Sequence, residues 1–245
     1  MSTPSRMKDN AEATAPEIQA PDLEAVRDFI SMAVHDLREP LRAIRLGAQL
    51  LAADGASPSA ENASRGTRYV ADGANRMETL INDIAEYCYE EVRTPEHTEV
   101  DLEMVLIEAR NEIAGELKSC AATLTHDPLP VVMGNFASLA TALRCLIANA
   151  CKFRGEAPLA VHIGAVREGD KWLFSVRDNG VGFDPAYKER IFKPFERLNG
   201  KQFPGSGLGS TLAKKIIEQH GGEMWADSRS GGGTTISFRL PAADL

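Results

Sequence analysis

The chain has 245 residues, 43% hydrophobic and 25% charged, which excludes wholesale disorder, collagen-like repeats and a disulfide-stapled miniprotein. Its net charge of −8, from 27 basic and 35 acidic residues without a Lys/Arg block, argues against a nucleic-acid partner, because neutralising phosphates takes a concentrated basic stripe. Charge interrupts every apolar run before the roughly 18 residues of a membrane helix, the N-terminus lacks an apolar signal core, and Cys88, Cys120, Cys145 and Cys151 form neither a C-x-x-C pair nor a zinc spacing. These features predict a cytoplasmic protein with reduced thiols and no membrane insertion.

Residues 1–20 are polar and rich in Pro, Ala and Glu, the composition of a disordered tail. From Pro21 onward, Val26, Ile30, Ala33, Leu37, Leu41, Ile44, Ala48 and Leu51 recur in steps of three and four. That period predicts one long amphipathic helix. The Gly/Ser/Pro stretch at 55–62 breaks it. A second stripe through Val70, Ala74, Met77, Ile81, Ile84 and Cys88 runs toward Thr94-Pro95. Two such helices on a short loop form an antiparallel hairpin. One hairpin offers too little apolar partner surface for its stripe, so a four-helix bundle from two copies, a homodimer, completes it. The competing expectation is a hairpin packed on its own downstream domain.

After Thr94-Pro95 the period changes. Asp101 is placed to cap a helix over 102–118, strand-like runs follow at Thr123–His126 and Val131–Met133, and Asn135 is placed to cap a helix through Lys152. The β-type runs 160–167 and 171–178 flank the turn Glu168-Gly169-Asp170. A helix over about 208–220 precedes strands at 223–228 and 234–240. The predicted fold class is α+β, a helical-hairpin dimerisation domain followed by an α/β sandwich with its helices on one face of a mixed sheet. The expected domains are a tail at 1–20, the hairpin at 21–94 and the sandwich at 95–245.

Four places carry candidate chemistry. His35 lies roughly 200° around the helix from both Ala33 and Leu37, at about 100° per residue, and so points away from the buried stripe. Asp36 follows it, and Pro40 removes a helix hydrogen bond just below. An imidazole stays a neutral nucleophile near neutral pH, and an adjacent carboxylate can hold one ring nitrogen protonated while the other attacks. The plain alternative is a surface histidine. Asn149 and Lys152 are three apart on one helix face. An amide oxygen suits Mg²⁺ and an ammonium suits a phosphate, while the bland reading of Asn149 is a buried polar group bonded to its neighbours.

Asp178 ends a strand-like run, with Gly180 and Gly182 following at alternate positions. This is either a device for recognising adenine or an ordinary Asp-Asn-Gly hairpin turn. Gly205, Gly207 and Gly209 open directly into a helix, where backbone amides and the helix N-terminus form an anion cradle. The spacing is neither that of a dinucleotide-binding turn nor that of a Walker loop.

The order of these features, with His35-Asp36-Leu37-Arg38-Glu39-Pro40, Phe192-Lys193-Pro194-Phe195-Glu196-Arg197-Leu198 and Pro204-Gly205-Ser206-Gly207-Leu208-Gly209, resembles the sensor histidine kinases and their phytochrome-type branch over about Pro21 to Pro241. The resemblance implies a kinase core: a dimerisation and phosphoacceptor hairpin at 21–94 and an ATP-binding catalytic domain at 95–245, of the kind shared with gyrase, Hsp90 and MutL. It implies that His35 is phosphorylated from ATP and that Asp36 is its acid/base partner. Asn149 would hold Mg²⁺, Lys152 would contact phosphates, and Phe153 would stack on adenine. Asp178 would accept from the adenine amino group, with Gly180 and Gly182 lining the adenine pocket. Phe192 and Phe195 would anchor a lid, and Gly205, Gly207 and Gly209 would hold the triphosphate. The implied partners are a second copy of the chain, the receiver domain of a response regulator, whose aspartate takes the phosphoryl group, and a separate sensor protein, since the first twenty residues are too few to form a sensor domain.

Two positions depart from the family's pattern. Cys145 stands four residues before the expected Mg²⁺ ligand, where many relatives have Asn, and a thiol is a poor partner for Mg²⁺. Glu39 occupies the place where the wider family has the Thr or Asn serving phosphatase activity. Cys145 leaves a second reading open, a catalytically weak dimeric phosphotransfer or scaffold protein that binds response regulators. An ATPase of the gyrase class acting on DNA is disfavoured by the acidic charge.

Overall fold

The computed structural model describes residues 23–53, 60–93, 97–198 and 205–243. The expected tail at 1–20, part of the break at 55–62 and the Thr94-Pro95 boundary lie outside the described residues. The two apolar stripes become helices α1 (Leu23–Ala53) and α2 (Ala60–Val92), antiparallel because Gly47 meets Gly66 while Pro40 meets Gly73. Where Gly47 and Gly66 cross, the helices touch backbone to backbone. A Cβ on Gly47 would lie 2.6 Å from the Gly66 carbonyl oxygen, so any larger residue would push the pair apart. Pro40 is accommodated inside α1.

Both expectations for the hairpin find support. Tyr87 on α2 packs against the core of the downstream domain, while Val26, Ile30, Leu41 and Ile81 of the predicted stripes stay exposed in the single chain.

Strand β1 (Thr98–Asp101), absent from the sequence reading, pairs antiparallel with β3 (Val131–Gly134). Asp101 caps α3 (Leu102–Glu112), its carboxylate accepting from the Glu103 N–H at 2.9 Å. The single helix expected over 102–118 is in fact two. Backbone at Ile113 leaves helical values (φ −109°, ψ 21°) before α4 (Ala114–Ser119). Gly115, a poor interior helix former, sits beside the break.

Asn135 caps α5 (Phe136–Lys152) by accepting from the Ser138 N–H at 3.1 Å. The main sheet contains β2 (Thr123–His126), β4 (Ala160–Glu168), β5 (Lys171–Asp178), β6 (Glu223–Ser228) and β7 (Thr234–Pro241), in the order β2-β4-β5-β7-β6. Only β2 and β4 run parallel, so the sheet is mixed as expected. Alternate residues of its inner face, among them Ile163, Phe174, Phe238 and Leu240, are buried against Leu143 and Ile147 of α5 and Ile216 and Ile217 of α6 (Gly209–Gln219). Each fully buried side chain of this size contributes roughly 1.5–3 kcal/mol. The same packing brings the C-terminal end of α5, the end of β5 and the start of α6 to one end of the sandwich.

Candidate functional site

At that end lies a cavity of about 870 Å³, a volume suited to a small-molecule ligand. Its lining includes Asn149, Lys152 and Phe153 from the end of α5, Asp178 and Gly182 after β5, and Gly205, Gly207 and Gly209 at α6. A third wall comes from the hairpin, as Thr79, Asp83 and Glu86 on α2 also face the cavity.

Asp178 is held from behind. Its Oδ1 accepts the Gly180 N–H at 2.8 Å and the Thr234 N–H at 3.1 Å. Burial raises the carboxyl above its usual range, and these two hydrogen bonds draw it back toward the ionised form. Oδ2 is left as the atom available to a ligand. Gly182 has φ +60°, and a Cβ there would sit 2.1 Å from the Arg229 carbonyl oxygen, so the turn under the cavity requires glycine. Gly180 does not line the cavity as expected. It packs against the Phe153 carbonyl and supplies the N–H that fixes Asp178.

On the opposite wall the Asn149 amide donates through Nδ2 to the Ser210 hydroxyl at 3.0 Å, which leaves its oxygen, the harder donor, as the group to offer a cation. The Lys152 ammonium lies 4.7 Å from the centroid of the Phe153 ring. Burial, reinforced by the Arg197 guanidinium, lowers its pKa to about 8, while Asp83 acts in the other direction. Cys145 also faces the cavity, and burial pushes its thiol up to about 12, so it is neutral at physiological pH.

The glycine segment opens into α6 with Gly205 at φ +133° and Gly207 at φ +81°. At φ +133° Gly205 holds a backbone conformation that favours glycine, and the loop there passes close to the Lys152 ammonium. The first amides of α6 add the positive end of a helix dipole.

The two phenylalanines expected to anchor a lid part company. Phe192 is buried in the core beneath the Lys214 ammonium. Phe195, at φ +60°, turns to the hairpin, its ring centroid 5.2 Å from that of Phe29 on α1, which stacks in turn on Tyr87. The segment 199–204 lies outside the described residues.

His35 points outward as its helical phase requires, with its side chain 84% exposed. Its Nδ1 stands 3.1 Å from Asp36 Oδ1. Beside a carboxylate that nitrogen carries the proton and donates, so Nε2 keeps a free lone pair. The other Asp36 oxygen accepts from Arg197 Nη2 at 3.1 Å. Arg197 also lines the cavity. One guanidinium therefore connects the cavity to the imidazole across 161 residues of sequence. Sequence reasoning missed Arg197, although it lies inside the Phe192–Leu198 segment that was read for its aromatic residues. Ser206, Ser210 and Thr234 escaped it as well, because serine and threonine near a turn carry no distinguishing spacing.

Residues 134–244 match the family described as histidine kinase-, DNA gyrase B-, and HSP90-like ATPase, and residues 25–87 match the His Kinase A (phospho-acceptor) domain. The chain is 36% identical over 237 residues to cyanobacterial phytochrome A of Nostoc sp., covering 96% of this chain and 31% of that protein. It is 30% identical over 240 residues to the methanogenesis regulatory histidine kinase FilI of Methanothrix harundinacea, covering 96% and 27% respectively. The chain thus spans under a third of the length of these relatives. Among solved structures, full-length ShkA in complex with AMPPNP superposes with a TM-score of 0.60 at 25% identity, over 89% of this chain and 46% of that one. Histidine kinase ThkA in complex with the response regulator TrrA shares the fold with a TM-score of 0.72 at 21% identity, over 90% and 63%. Among the described residues no helix is long and apolar enough to cross a membrane.

Proposed function

The chain belongs to the sensor histidine kinases, of which it carries the kinase core, and from that premise we propose that it transfers the γ-phosphoryl group of ATP to His35 and then to an aspartate on a response-regulator receiver. The observation that carries this reading is the Asp36 carboxylate shared between the His35 imidazole and Arg197 at the cavity wall. The working unit is a homodimer joined through the exposed apolar row of the hairpin, with the phosphoacceptor unit at 21–94 and the ATP-binding unit at 95–245.

Adenine enters against Phe153, with its amino group donating to Asp178. The triphosphate lies along the Gly205–Gly209 amides and the Lys152 ammonium. Among the described residues no cluster of three His, Cys, Asp or Glu side chains is arranged for a metal. The donor set fits the way Mg²⁺ is usually bound, by one protein oxygen, here that of Asn149, together with substrate phosphates and water. The ion would supply charge neutralisation at the phosphates.

Asp36 keeps the proton on Nδ1, so Nε2 attacks phosphorus. The N–P bond forms as the bond from phosphorus to the β–γ bridging oxygen breaks, and ADP leaves with that electron pair. Arg197 offers a positive charge beside the transferred group. Positioning and charge neutralisation account for most of the catalysis in such a transfer.

The test is to incubate the chain with γ-labelled ATP and Mg²⁺ and to examine the stability of the label. A phosphohistidine loses label in acid and keeps it in alkali. Acid-stable label, or none, overturns the proposal, and absence of Mg²⁺-dependent nucleotide binding would favour the scaffold reading that Cys145 leaves open.

Lys152 makes a separate prediction. With a pKa of about 8 in the free site, it is mostly neutral at pH 9. A bound phosphate favours its charged form and raises that pKa. Binding at pH 9 is then accompanied by proton uptake, whereas at pH 7 the ammonium is charged both before and after. Affinity consequently falls as pH rises through 8. Calorimetry in buffers of different ionisation enthalpy reads the uptake directly, and Lys152→Met should remove it. Uptake at pH 9 that persists in this variant would contradict the assignment.

A further inference from the structure

Helix α2 presents Asp83, Glu86, Tyr87, Glu90 and Glu91 on one face, at the i, i+3, i+4, i+7, i+8 spacing, and all five contact the catalytic domain. Glu91 pairs with Lys215. Glu90 is buried, its carboxylate accepting from the Ser138 hydroxyl at 2.8 Å and its carbonyl accepting from Gln219 Nε2 at 2.8 Å. Tyr87 joins the core and lies under the Lys215 ammonium. These three contacts hold the helix in place. The other two reach further in. Glu86 accepts from Arg144 Nη2 at 2.5 Å at the cavity wall. Asp83 lines the same cavity as Ser206, between Gly205 and Gly207, within electrostatic reach of that hydroxyl and of Lys152 and Arg144. Ser206 is itself buried, and its hydroxyl oxygen accepts the Leu208 N–H at 3.1 Å, which fixes the side chain within the glycine loop.

A carboxylate that shares the cavity with a glycine-rich anion cradle and acts electrostatically on its lysine occupies the role that a phosphate would fill. We propose that Asp83 and Glu86 form an acidic clasp in which helix α2 and the nucleotide phosphates compete for Ser206, Lys152 and Arg144, so that a triphosphate entering the cavity releases the catalytic domain from the end of the hairpin. The clasp accounts for how a domain docked on α2 frees its phosphate-binding groups for the nucleotide, and it rests on the nucleotide reading of the cavity. Like charges cannot share the site, because a phosphate brought beside Asp83 repels it and draws Lys152 away. Adenosine, which carries no phosphate, does not enter this competition.

The experiment compares the whole chain with its Asp83→Asn/Glu86→Gln variant, titrating each with Mg²⁺-ATP and with adenosine. The variant should bind ATP about tenfold more tightly, the order expected when one desolvated charge contact no longer has to be displaced, and adenosine unchanged. In the unaltered chain, saturation with AMPPNP should speed amide exchange over 83–92, and saturation with adenosine should not, a readout independent of how well the variant folds. ATP affinity that is unchanged or weaker in the variant, or protection of 83–92 indifferent to AMPPNP, overturns the clasp while leaving the nucleotide site intact. Failure of both proteins to bind either ligand removes the nucleotide reading and the clasp together.

Discussion

Replacing His35 by Gln should abolish phosphorylation of the chain while leaving its affinity for nucleotide within about twofold, because a side chain 84% exposed contributes nothing to the cavity wall. Glutamine keeps the helix and offers no nucleophile. The companion substitution Asp36→Asn preserves shape and tests mechanism. An amide cannot hold a proton on Nδ1 as a carboxylate does, and it loses the charge that Arg197 meets at 3.1 Å. The rate of labelling should fall by about 10²–10⁴-fold, the range for removal of a positioned acid–base group, again with little change in nucleotide affinity. A time course with γ-labelled ATP, paired with a binding titration, separates the two quantities. Label retained by the Gln variant would place the acceptor elsewhere. Loss of nucleotide binding in either variant would mean that the hairpin acts by shaping the cavity.

The second large effect belongs to Asp178. Its Oδ1 is committed to two backbone N–H groups, so an Asn at this position keeps its oxygen there and turns its NH₂ toward the cavity. An adenine amino group then faces a donor. The hydrogen bond to a charged acceptor is lost, about 1.5–3 kcal/mol, and an unsatisfied buried donor adds about 1–3 kcal/mol. Together these correspond to an ATP affinity weaker by about 10²-fold or more. A base carrying a carbonyl at the same place would accept from the new NH₂. Asp178→Asn should therefore narrow or reverse the preference for ATP over inosine triphosphate. Competition titrations of both nucleotides on both proteins measure the change. A variant that weakens equally toward the two bases would show that Asp178 supports the turn and does not read adenine.

Much of the architecture was legible because it depends on local periodicity and local hydrogen bonds. The three–four stripes specified α1 and α2, and the side chains of Asp101 and Asn135 cap their helices as short polar residues before an apolar run do. Glycine pairs marked the turns where a side chain would strike a carbonyl, as at Gly182. Strand β1 was missed because its four residues show too few alternations to register and only its pairing with β3 makes it a strand. The single helix expected over 102–118 is two because the good helix formers on either side conceal the break at Ile113, where the backbone leaves helical values. Gly180, expected to line the pocket, instead donates its N–H to Asp178, because spacing along a turn does not say which face meets the cavity.

Sequence alone determined the identity and order of the chemical groups: an outward histidine with a carboxylate beside it, an Asn/Lys pair one turn apart, an aspartate at a strand end and glycines before a helix. Each is a matter of neighbours within a few residues, where backbone geometry is nearly the same in any fold. What the tertiary structure decided is which of these groups share an electrostatic environment. Arg197 touching Asp36, the burial and the Arg197 charge that lower the Lys152 pKa, and Asp83 meeting the glycine loop's cavity from another helix all arise from surfaces brought together across 45 to 161 positions. Coulomb interactions and desolvation depend on distance in space and exclusion of water, and a one-dimensional string records neither.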